Sequence, residues 1–309
     1  MHFTDIFVTL YGCISAFFTL LAVFPDVVVS KGGYASVPVT SAAHLLGIPV
    51  VIHESDVKPG RANLMASKYA KRIAVTFDSS VPYFPKKAQA NIARTGIPIR
   101  SIIANPETEG AKESFGLDPS VPTILVLGGS QGAVRVNDII QFALPQLTEF
   151  ANVIHQTGKD NFEVAERTAK LMLEKSARPD RYHPFPYLNA LTMRRAAGAA
   201  DLVVSRAGMT AVAEIALWKK PSILIPIPEE VSHDQRANAY AYAETGAAVV
   251  IEEANLTDHI LVSEAKRILG NPAEVARMSA AGVSFANPDA GKIIATEVVA
   301  IALSHEGQK

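Results

Sequence analysis

The chain has 309 residues, of which 49% are hydrophobic and 19% charged, so it can form a sizeable core and is not a disordered protein. Its single cysteine excludes a disulfide scaffold and any metal site built from several cysteines. Residues 1–100 carry ten basic and five acidic side chains, net +5, whereas the remainder carries −6. The basic part predicts an anionic partner, either phosphate groups, a membrane surface or nucleic acid, unless it is an ordinary solvated surface.

The first uncharged segment, residues 6–24, is long enough to span a bilayer as a helix. No basic segment precedes it and no small-residue cleavage site follows it, which disfavours a signal peptide. Pro25 and Asp26 lead directly into the next apolar run, without a linker. We therefore expect a helix packed on its own sheet, with a true span and interfacial docking of one apolar face as the alternatives.

Short β-rich runs then alternate with helical stretches along the chain. Strands are predicted at 27–29, 49–53, 72–76, 90–93, 123–127, 153–156, 202–205, 222–225 and 248–251. Helices are predicted at 37–46, 63–71, 133–150, 161–174, 210–218 and 235–245, with a mostly helical tail from residue 263. This alternation of apolar strands and helices predicts parallel sheets that are covered on both faces.

Residues 97–122 contain four prolines and no sustained apolar period, which is typical of a domain boundary. We expect two doubly wound α/β domains, residues 1–100 and 122–289, joined by a linker at 101–121. A helix at about 290–309 is expected to pack back on the first domain. Ligands of such folds bind beyond the carboxyl ends of the strands, here in a cleft between the two domains.

The strongest motif is TILVLGGSQGA, residues 123–133, in which a buried strand enters a glycine-rich turn that opens a helix. Gly129 and Gly132 let the backbone approach a ligand, Ser130 adds a hydroxyl, and the helix N-terminus offers free N–H donors. The motif predicts a cradle for a diphosphate, with an empty glycine turn as the alternative. It has neither Walker nor G-x-G-x-x-G spacing, which disfavours a dinucleotide.

A second motif, DLVVSRAGMTAVAEIA at 201–216, repeats this strand–glycine–helix arrangement. Glu214 lies four residues after Thr210, on the same helix face, where a carboxylate can accept two hydrogen bonds from a ribose diol. The alternative is a solvated helix residue. Two such openings in one domain predict that they hold two parts of one nucleotide.

A third motif, HDQRANA at 233–239, projects Asp234, Gln235 and Asn238 from the start of a helix. Amide side chains suit sugar hydroxyls because both groups donate and accept hydrogen bonds. Helix capping is the alternative reading.

The segment HESDVKPGRAN at 53–63 follows a predicted strand of the first domain. His53, Glu54 and Asp56 are candidate general bases, with strand-end hydrogen bonding and helix capping as the alternatives. His53 has no second ligand at metal spacing, so we expect no metal site.

Taken in order, these motifs resemble the MurG-type glycosyltransferases. The matching segments are PDVVVSKGGYASVPV, GIPVVIHESDVKPGRAN, ARTGIPIR, TILVLGGSQGA, VIHQTGK, ADLVVSRAGMTAVAEIA, KPSILIPIP, DQRANA and TGAAVVIEE, over about residues 25–255. The resemblance implies a GT-B fold and an inverting, metal-independent transfer of N-acetylglucosamine (GlcNAc) from UDP-GlcNAc to lipid I, which gives lipid II for peptidoglycan, cell shape and division. It also implies a peripheral location on the cytoplasmic face of the bacterial membrane, and no nucleic-acid partner.

The resemblance also implies roles for matched residues. Donor-binding residues would be Arg100, Gly129, Ser130, Gly132, Ala207, Gly208, Met209, Thr210, Glu214, Asp234 and Gln235. Acceptor-side residues would be Gly32, Gly33, Tyr34, Ser36 and Asn63, with Glu54 or Asp56 as the catalytic base.

The chain departs from the family pattern at its start, because the Gly-Gly-Thr-Gly-Gly-His loop with a candidate catalytic histidine is absent. We therefore expect an incomplete first domain with an uncovered sheet edge and apolar helix surface, which predicts either poor solubility or a partner chain that supplies the missing units. His-Glu-Ser-Asp in place of His-Glu-Gln-Asn also alters the acceptor side. A UDP-GlcNAc-binding fragment without turnover and another GT-B enzyme, such as a UDP-GlcNAc 2-epimerase, are the alternative functions.

Overall fold

The computed structural model describes residues 3–128, 133–231 and 235–304. The chain divides into two compact units, Met1–Pro98 with Asp289–Lys309, and Ile99–Pro288. Each unit contains one parallel β-sheet. The cleft expected between two domains stays a prediction.

The first unit has a four-stranded sheet in the order β1-β2-β3-β4. Its strands are β1 (Val28–Ser30), β2 (Val50–Glu54), β3 (Arg72–Val75) and β4 (Ile92–Arg94). Its helices are α1 (Phe3–Val23), α2 (Ser36–Leu45), α3 (Arg61–Ala66), α4 (Lys86–Gln89) and α14 (Ala290–Leu303).

The core of the first unit lies where α2 and α3 cover one face of this sheet. Ile52 and Ile73 are opposite each other in the register of β2 and β3, and both are fully buried. Helix α1 adds Leu20 to this core but lies mainly against α2, where a Cβ built on Gly12 would be 3.4 Å from Pro38 Cγ. The expected helix thus packs within its own unit, on a helix rather than directly on the sheet.

No helix in the described part of the chain is both long and apolar enough to cross a membrane.

The second unit has a six-stranded sheet in the order β10-β9-β8-β5-β6-β7. Its strands are β5 (Thr123–Leu127), β6 (Asn152–Gln156), β7 (Tyr182–Phe185), β8 (Leu202–Ser205), β9 (Ser222–Leu224) and β10 (Ala248–Val250). Its helices are α5 (Ser101–Ala104), α6 (Ala111–Ser114), α7 (Val134–Phe150), α8 (Phe162–Met172), α9 (Ala190–Ala199), α10 (Met209–Trp218), α11 (Gln235–Ala243), α12 (Asp258–Leu269) and α13 (Pro272–Ala281).

The strand order of this second sheet reverses between β5 and β8. From β5 the chain proceeds outward through β6 to β7, and it then returns to β8 on the other side of β5. Both central strands are buried along their whole length, because helices cover the two faces of a parallel sheet. Such a reversal leaves a crevice outside the carboxyl ends of the two strands, which is where open α/β sheets bind ligands.

The structure differs from the sequence predictions mainly in short elements. Strand β7 and helix α9 were not predicted, and the proline-rich segment expected as a loop contains the four-residue helices α5 and α6. The helix expected at 63–71 begins at Arg61 and ends at Ala66. Residues 101–121, which were predicted to be a linker, belong to the second unit.

Candidate functional site

A cavity of about 640 Å³ lies at the carboxyl end of the second sheet, beside the reversal point. Leu127 and Gly128 line it from the end of β5, and Ser205 and Arg206 from the end of β8. The first turns of α10 and α11, the loops after β7 and β9, and helices α5 and α9 complete its wall. The fold thus brings segments that are more than a hundred residues apart in the sequence to one site.

Glu214 is the acidic side chain in this cavity, and it projects from the second turn of α10. Burial raises the pKa of its carboxyl group to about 6, although the positive charge of Arg100 acts in the opposite direction. No hydrogen bond to this carboxylate comes from the described residues. The carboxylate is therefore placed in a partly dehydrated site with free acceptor capacity, as the recognition of hydroxyl groups requires.

Arg100, which directly precedes α5, lines the same cavity. Trp218 at the end of α10 donates a hydrogen bond of 2.7 Å from Nε1 to the backbone oxygen of Ile103. This buried bond joins α5 to α10, so the helices that carry Arg100 and Glu214 are held together.

The glycine turn after β8 opens α10. Gly208 is the N-cap residue of α10, no side chain caps it, and Gly208, Met209 and Thr210 line the cavity. Ala207 is fully buried and is not among the lining residues. The open helix N-terminus leaves backbone N–H donors directed at the cavity, beside the position of Glu214.

Gln235, the first residue of α11, contacts the same turn. Its Oε1 accepts a hydrogen bond of 3.3 Å from the backbone N–H of Ile227, in the loop after β9. Its Nε2 lies 3.9 Å from the position that a Cβ on Gly208 would take. The amide group is therefore oriented, with its donor side toward the cavity. The predicted neighbour Asp234 lies outside the described residues.

Gly128 follows the end of β5 in a tight space, where a side chain would require its neighbours to shift by a few tenths of an ångström. An added Cβ would lie 3.1 Å from the backbone nitrogen of Ala133 and 3.3 Å from the backbone oxygen of Gln156. The turn that follows leads into α7, whose N-cap residue Ala133 has no side-chain cap. The predicted residues Gly129, Ser130 and Gly132 lie in the part of this turn that is outside the described residues.

A buried chain of hydrogen bonds lies beside Gly128, and the sequence analysis did not identify it. Tyr182 Oη and His155 Nδ1 are 3.0 Å apart, and His155 Nε2 is 3.1 Å from Asn137 Oδ1. Asn137 Nδ2 donates to the backbone oxygen of Thr157 at 2.9 Å. Because the Asn137 amide already donates there, His155 must carry its proton on Nε2 and accept from Tyr182. The chain joins α7 to β6, and burial keeps His155 neutral by lowering its pKa to about 3.

The loop after β7 and helix α9 contribute further lining residues that the sequence analysis missed. Tyr187, Leu188 and Met193 line the cavity, and Gln156 Oε1 accepts a hydrogen bond of 3.0 Å from the backbone N–H of Leu188. Strand β7 was not predicted, so nothing in the sequence placed the residues that follow it at the carboxyl end of the sheet.

The predicted acceptor residues lie in the first unit, around the carboxyl ends of β1 and β2. Glu54 is buried, and its two carboxylate oxygens accept from the backbone N–H groups of Asp56 and Gly60 at 3.0 Å and from Asn63 Nδ2 at 2.9 Å. Glu54 thus organises the loop at 54–60 in addition to any chemical role. A Cβ on Gly32 would lie 2.8 Å from Asn63 Nδ2, so the two loops fit only with glycine there.

The glycine turn after β1 has two successive residues in the left-handed region, Gly32 and Gly33, with φ of 82° and 84°. Ser36 Oγ donates to the backbone oxygen of Gly33 at 2.8 Å, and Tyr34 is hydrogen-bonded to Thr9 of α1. The structure therefore gathers the five predicted acceptor residues around two neighbouring loops.

Two domain families match the chain. The C-terminal domain of glycosyltransferase family 28 matches residues 123–292, and its N-terminal domain matches residues 1–75. Two curated relatives, from Clostridium kluyveri and Desulforamulus reducens, are both named UDP-N-acetylglucosamine–N-acetylmuramyl-(pentapeptide) pyrophosphoryl-undecaprenol N-acetylglucosamine transferase. They are 35% and 37% identical over 268 and 271 residues, which is 86% of this chain and 72% and 71% of theirs.

Solved structures show the same fold. The crystal structure of Acinetobacter baumannii MurG is 27% identical, with a TM-score of 0.73 over 94% of this chain and 80% of that one. A UDP-GlcNAc 2-epimerase from Neisseria meningitidis, bound to UDP-GlcNAc, is 12% identical with a TM-score of 0.70 over 94% and 81%, which shows the fold alone. The fold is thus GT-B-like, as predicted. The chain belongs to glycosyltransferase family 28 and, within it, to the UDP-N-acetylglucosamine–N-acetylmuramyl-(pentapeptide) pyrophosphoryl-undecaprenol N-acetylglucosamine transferases.

Proposed function

We propose that this chain transfers GlcNAc from UDP-GlcNAc to the 4-hydroxyl of N-acetylmuramic acid (MurNAc) in lipid I, which gives lipid II in peptidoglycan synthesis. The names of relatives at 35–37% identity support this reaction. The observation that carries it is the partly dehydrated carboxylate of Glu214, which accepts no hydrogen bond from the described residues and lines one cavity together with Arg100 and Gly208.

In this proposal UDP-GlcNAc occupies the cavity of the second unit. Glu214 accepts hydrogen bonds from the ribose diol, and the open N-terminus of α10 faces the nucleotide. The Gln235 amide is oriented by its hydrogen bond from Ile227, and its Nε2 donates a hydrogen bond to a GlcNAc hydroxyl. The diphosphate lies toward Gly128 and the turn into α7, where Ser130 is the predicted contact.

The reaction breaks the bond between the anomeric carbon of GlcNAc and the β-phosphate oxygen of UDP as the MurNAc oxygen forms a new bond to that carbon. A base removes the hydroxyl proton, and UDP leaves with negative charge developing on its β-phosphate. Arg100 lines the cavity where this charge develops and stabilises it electrostatically. Glu54 or Asp56 is the proposed base. Glu54 also accepts three hydrogen bonds from the segment that follows it, which supports a second role in shaping the acceptor loop.

We also propose that the chain works at the cytoplasmic face of the bacterial membrane as a peripheral protein. The net charge of +5 in residues 1–100 supports attraction to an anionic surface. Helix α1 exposes large apolar side chains such as Phe7, Phe18 and Leu21, which suits contact with the interfacial region of a bilayer.

One experiment separates this function from its alternatives. Purified chain is incubated with UDP-GlcNAc and a soluble lipid I analogue, and the products are identified by mass spectrometry. We expect UDP and an acceptor that has gained one GlcNAc. Conversion of UDP-GlcNAc to its C2 epimer, with no change in the acceptor, would identify an epimerase. Binding of UDP-GlcNAc without any product would identify a donor-binding protein.

A further inference from the structure

An apolar groove of about 530 Å³ runs between α1 and α2 in the first unit. Its lining on α1 extends from Val8 to Leu20, which corresponds to roughly 18 Å of helix at 1.5 Å per residue. Small residues such as Gly12 and Ser15 form part of its floor, and none of the described residues that line it is charged. The groove is therefore long and has an uncharged, mostly apolar lining, which suits an extended hydrocarbon chain better than a compact charged ligand.

The groove begins at a residue of the predicted acceptor site. Tyr34 lines the groove and directly follows the turn formed by Gly32 and Gly33. Its hydroxyl is hydrogen-bonded to Thr9, which lines the groove from the N-terminal half of α1. An acceptor whose diphosphate contacts the glycine turn would thus have its lipid tail at the mouth of the groove.

We propose that this groove binds the first isoprene units of the acceptor's polyprenyl chain. The inference rests on the proposed function, because the relatives' names give a pyrophosphoryl-undecaprenol acceptor. Removing the tail from water between two helices supplies binding free energy in proportion to the apolar area buried. The concave groove contacts such a chain from two sides, whereas a bilayer surface would meet the convex, exposed face of α1. The tail therefore adds affinity and aligns the headgroup.

Calorimetry with two soluble acceptors and no donor tests the proposal. Both acceptors carry the same MurNAc-peptide diphosphate headgroup, and one ends in a methyl group while the other ends in a short prenyl tail. For the unmodified chain we expect the tailed acceptor to bind about ten times more tightly or better, since each buried methylene adds about 0.8 kcal/mol. Ser15→Phe fills the groove from an exposed position, and it should reduce this ratio to about twofold without weakening the methyl acceptor.

The matched control is Ala22→Phe, which adds the same side chain at an exposed position of α1 outside the groove lining. It should keep the tenfold ratio. Equal affinity of both acceptors for the unmodified chain would overturn the proposal, as would a Ser15→Phe variant that retains the full ratio. Equal weakening of both acceptors by Ser15→Phe would also overturn it, since it would show a structural effect. Because no donor is present, these outcomes do not depend on turnover, which the product analysis measures separately.

Discussion

At the residue scale, the burial of Glu214 favours ligand binding and does not stabilise the fold. Its pKa is raised to about 6 because burial disfavours the charged form, and the opposing attraction of Arg100 only partly compensates. The ionised form is nevertheless the better acceptor for two hydroxyl groups. The carboxylate of Glu214 is thus partly dehydrated in the cavity, and a ligand with hydroxyl groups can supply the hydrogen bonds that water no longer provides.

Donor affinity should consequently depend on pH. We expect UDP-GlcNAc to bind more tightly as the pH rises from 5 to 7.5, with the change centred near the raised pKa of Glu214 and a plateau above it. The same titration of Glu214→Gln should show this change reduced or absent. An unchanged pH profile in the variant would contradict the assignment of Glu214 to the donor.

At Gly128, the space around the backbone favours glycine over residues with a side chain. A Cβ there would approach backbone atoms on both sides, so Gly128→Ala must displace the turn or the end of β6. We expect a loss of about 1–3 kcal/mol in the free energy of unfolding, measured in urea, together with weaker donor binding. Gly60→Ala is the control, because a Cβ at Gly60 meets nothing within 4 Å and its φ is −67°. Equal effects of the two substitutions would contradict the steric argument.

At the element scale, His155 links β6 to α7 through its hydrogen bond to Asn137, and it directly precedes Gln156, which lines the cavity of the second unit. The imidazole of His155 has a pKa of about 3 in the fold, against an ordinary value of 6.5, so the unfolded chain binds more protons than the folded chain between those two pH values. Stability must therefore fall as the pH is lowered from about 6.5, by about 1.4 kcal/mol per pH unit for this group. Burial lowers the pKa of His53 as well, which acts in the same direction.

Urea unfolding at pH 7 and at pH 5 measures this dependence. We expect His155→Gln to be less stable than the unmodified chain at pH 7 but to lose less stability on acidification. A variant that loses as much stability as the unmodified chain would show that another group dominates.

The central elements of the fold could be predicted from the sequence, and the peripheral ones could not. Strands β5 and β8 were predicted with their observed bounds, because fully buried strands are continuous runs of β-branched and other apolar residues. Strand β7 reads YHPF, is only half-buried and contains Pro184, so it lacks that signal. Helices α5 and α6 have four residues each, too few to show a helical period.

The same distinction applies to the candidate site. Residues in glycine turns and at helix starts carry a local signature, and Gly208, Thr210, Glu214 and Gln235 were predicted and lie around one cavity. Asn137 and His155 act through contacts between elements, which a single sequence does not reveal. Their roles follow only from the three-dimensional structure.

At the scale of the whole molecule, the two units divide the proposed tasks. Every described residue that lines the donor cavity belongs to residues 99–288, whereas the predicted acceptor residues and the apolar groove belong to the first unit. The last helix, α14, returns to the first unit, where Ile301 is almost fully buried and Arg72 pairs with Glu297 at 2.7 Å. That ion pair is half-exposed and adds little, whereas the buried side chain of Ile301 removes apolar surface from water.

Ile301→Ala should therefore destabilise the first unit by about 2–5 kcal/mol and leave donor binding unchanged. Urea unfolding gives the first quantity, and calorimetry with UDP-GlcNAc under native conditions gives the second. A substantial loss of donor affinity in this variant would contradict the assignment of the whole donor cavity to the second unit.

In the proposed function, the cavity at the reversal of the second sheet binds UDP-GlcNAc through Glu214. Calorimetry with UDP-GlcNAc on the unmodified chain, on Glu214→Ala and on Glu163→Ala tests it most directly, since Glu163 is an exposed helical glutamate far along the chain from the cavity-lining residues. We predict binding by the unmodified chain and by Glu163→Ala, and a roughly 10- to 100-fold weaker affinity for Glu214→Ala, because hydrogen bonds to a charged group contribute about 1.5–3 kcal/mol. Equal affinities for all three proteins, or no binding by the unmodified chain, would contradict the account.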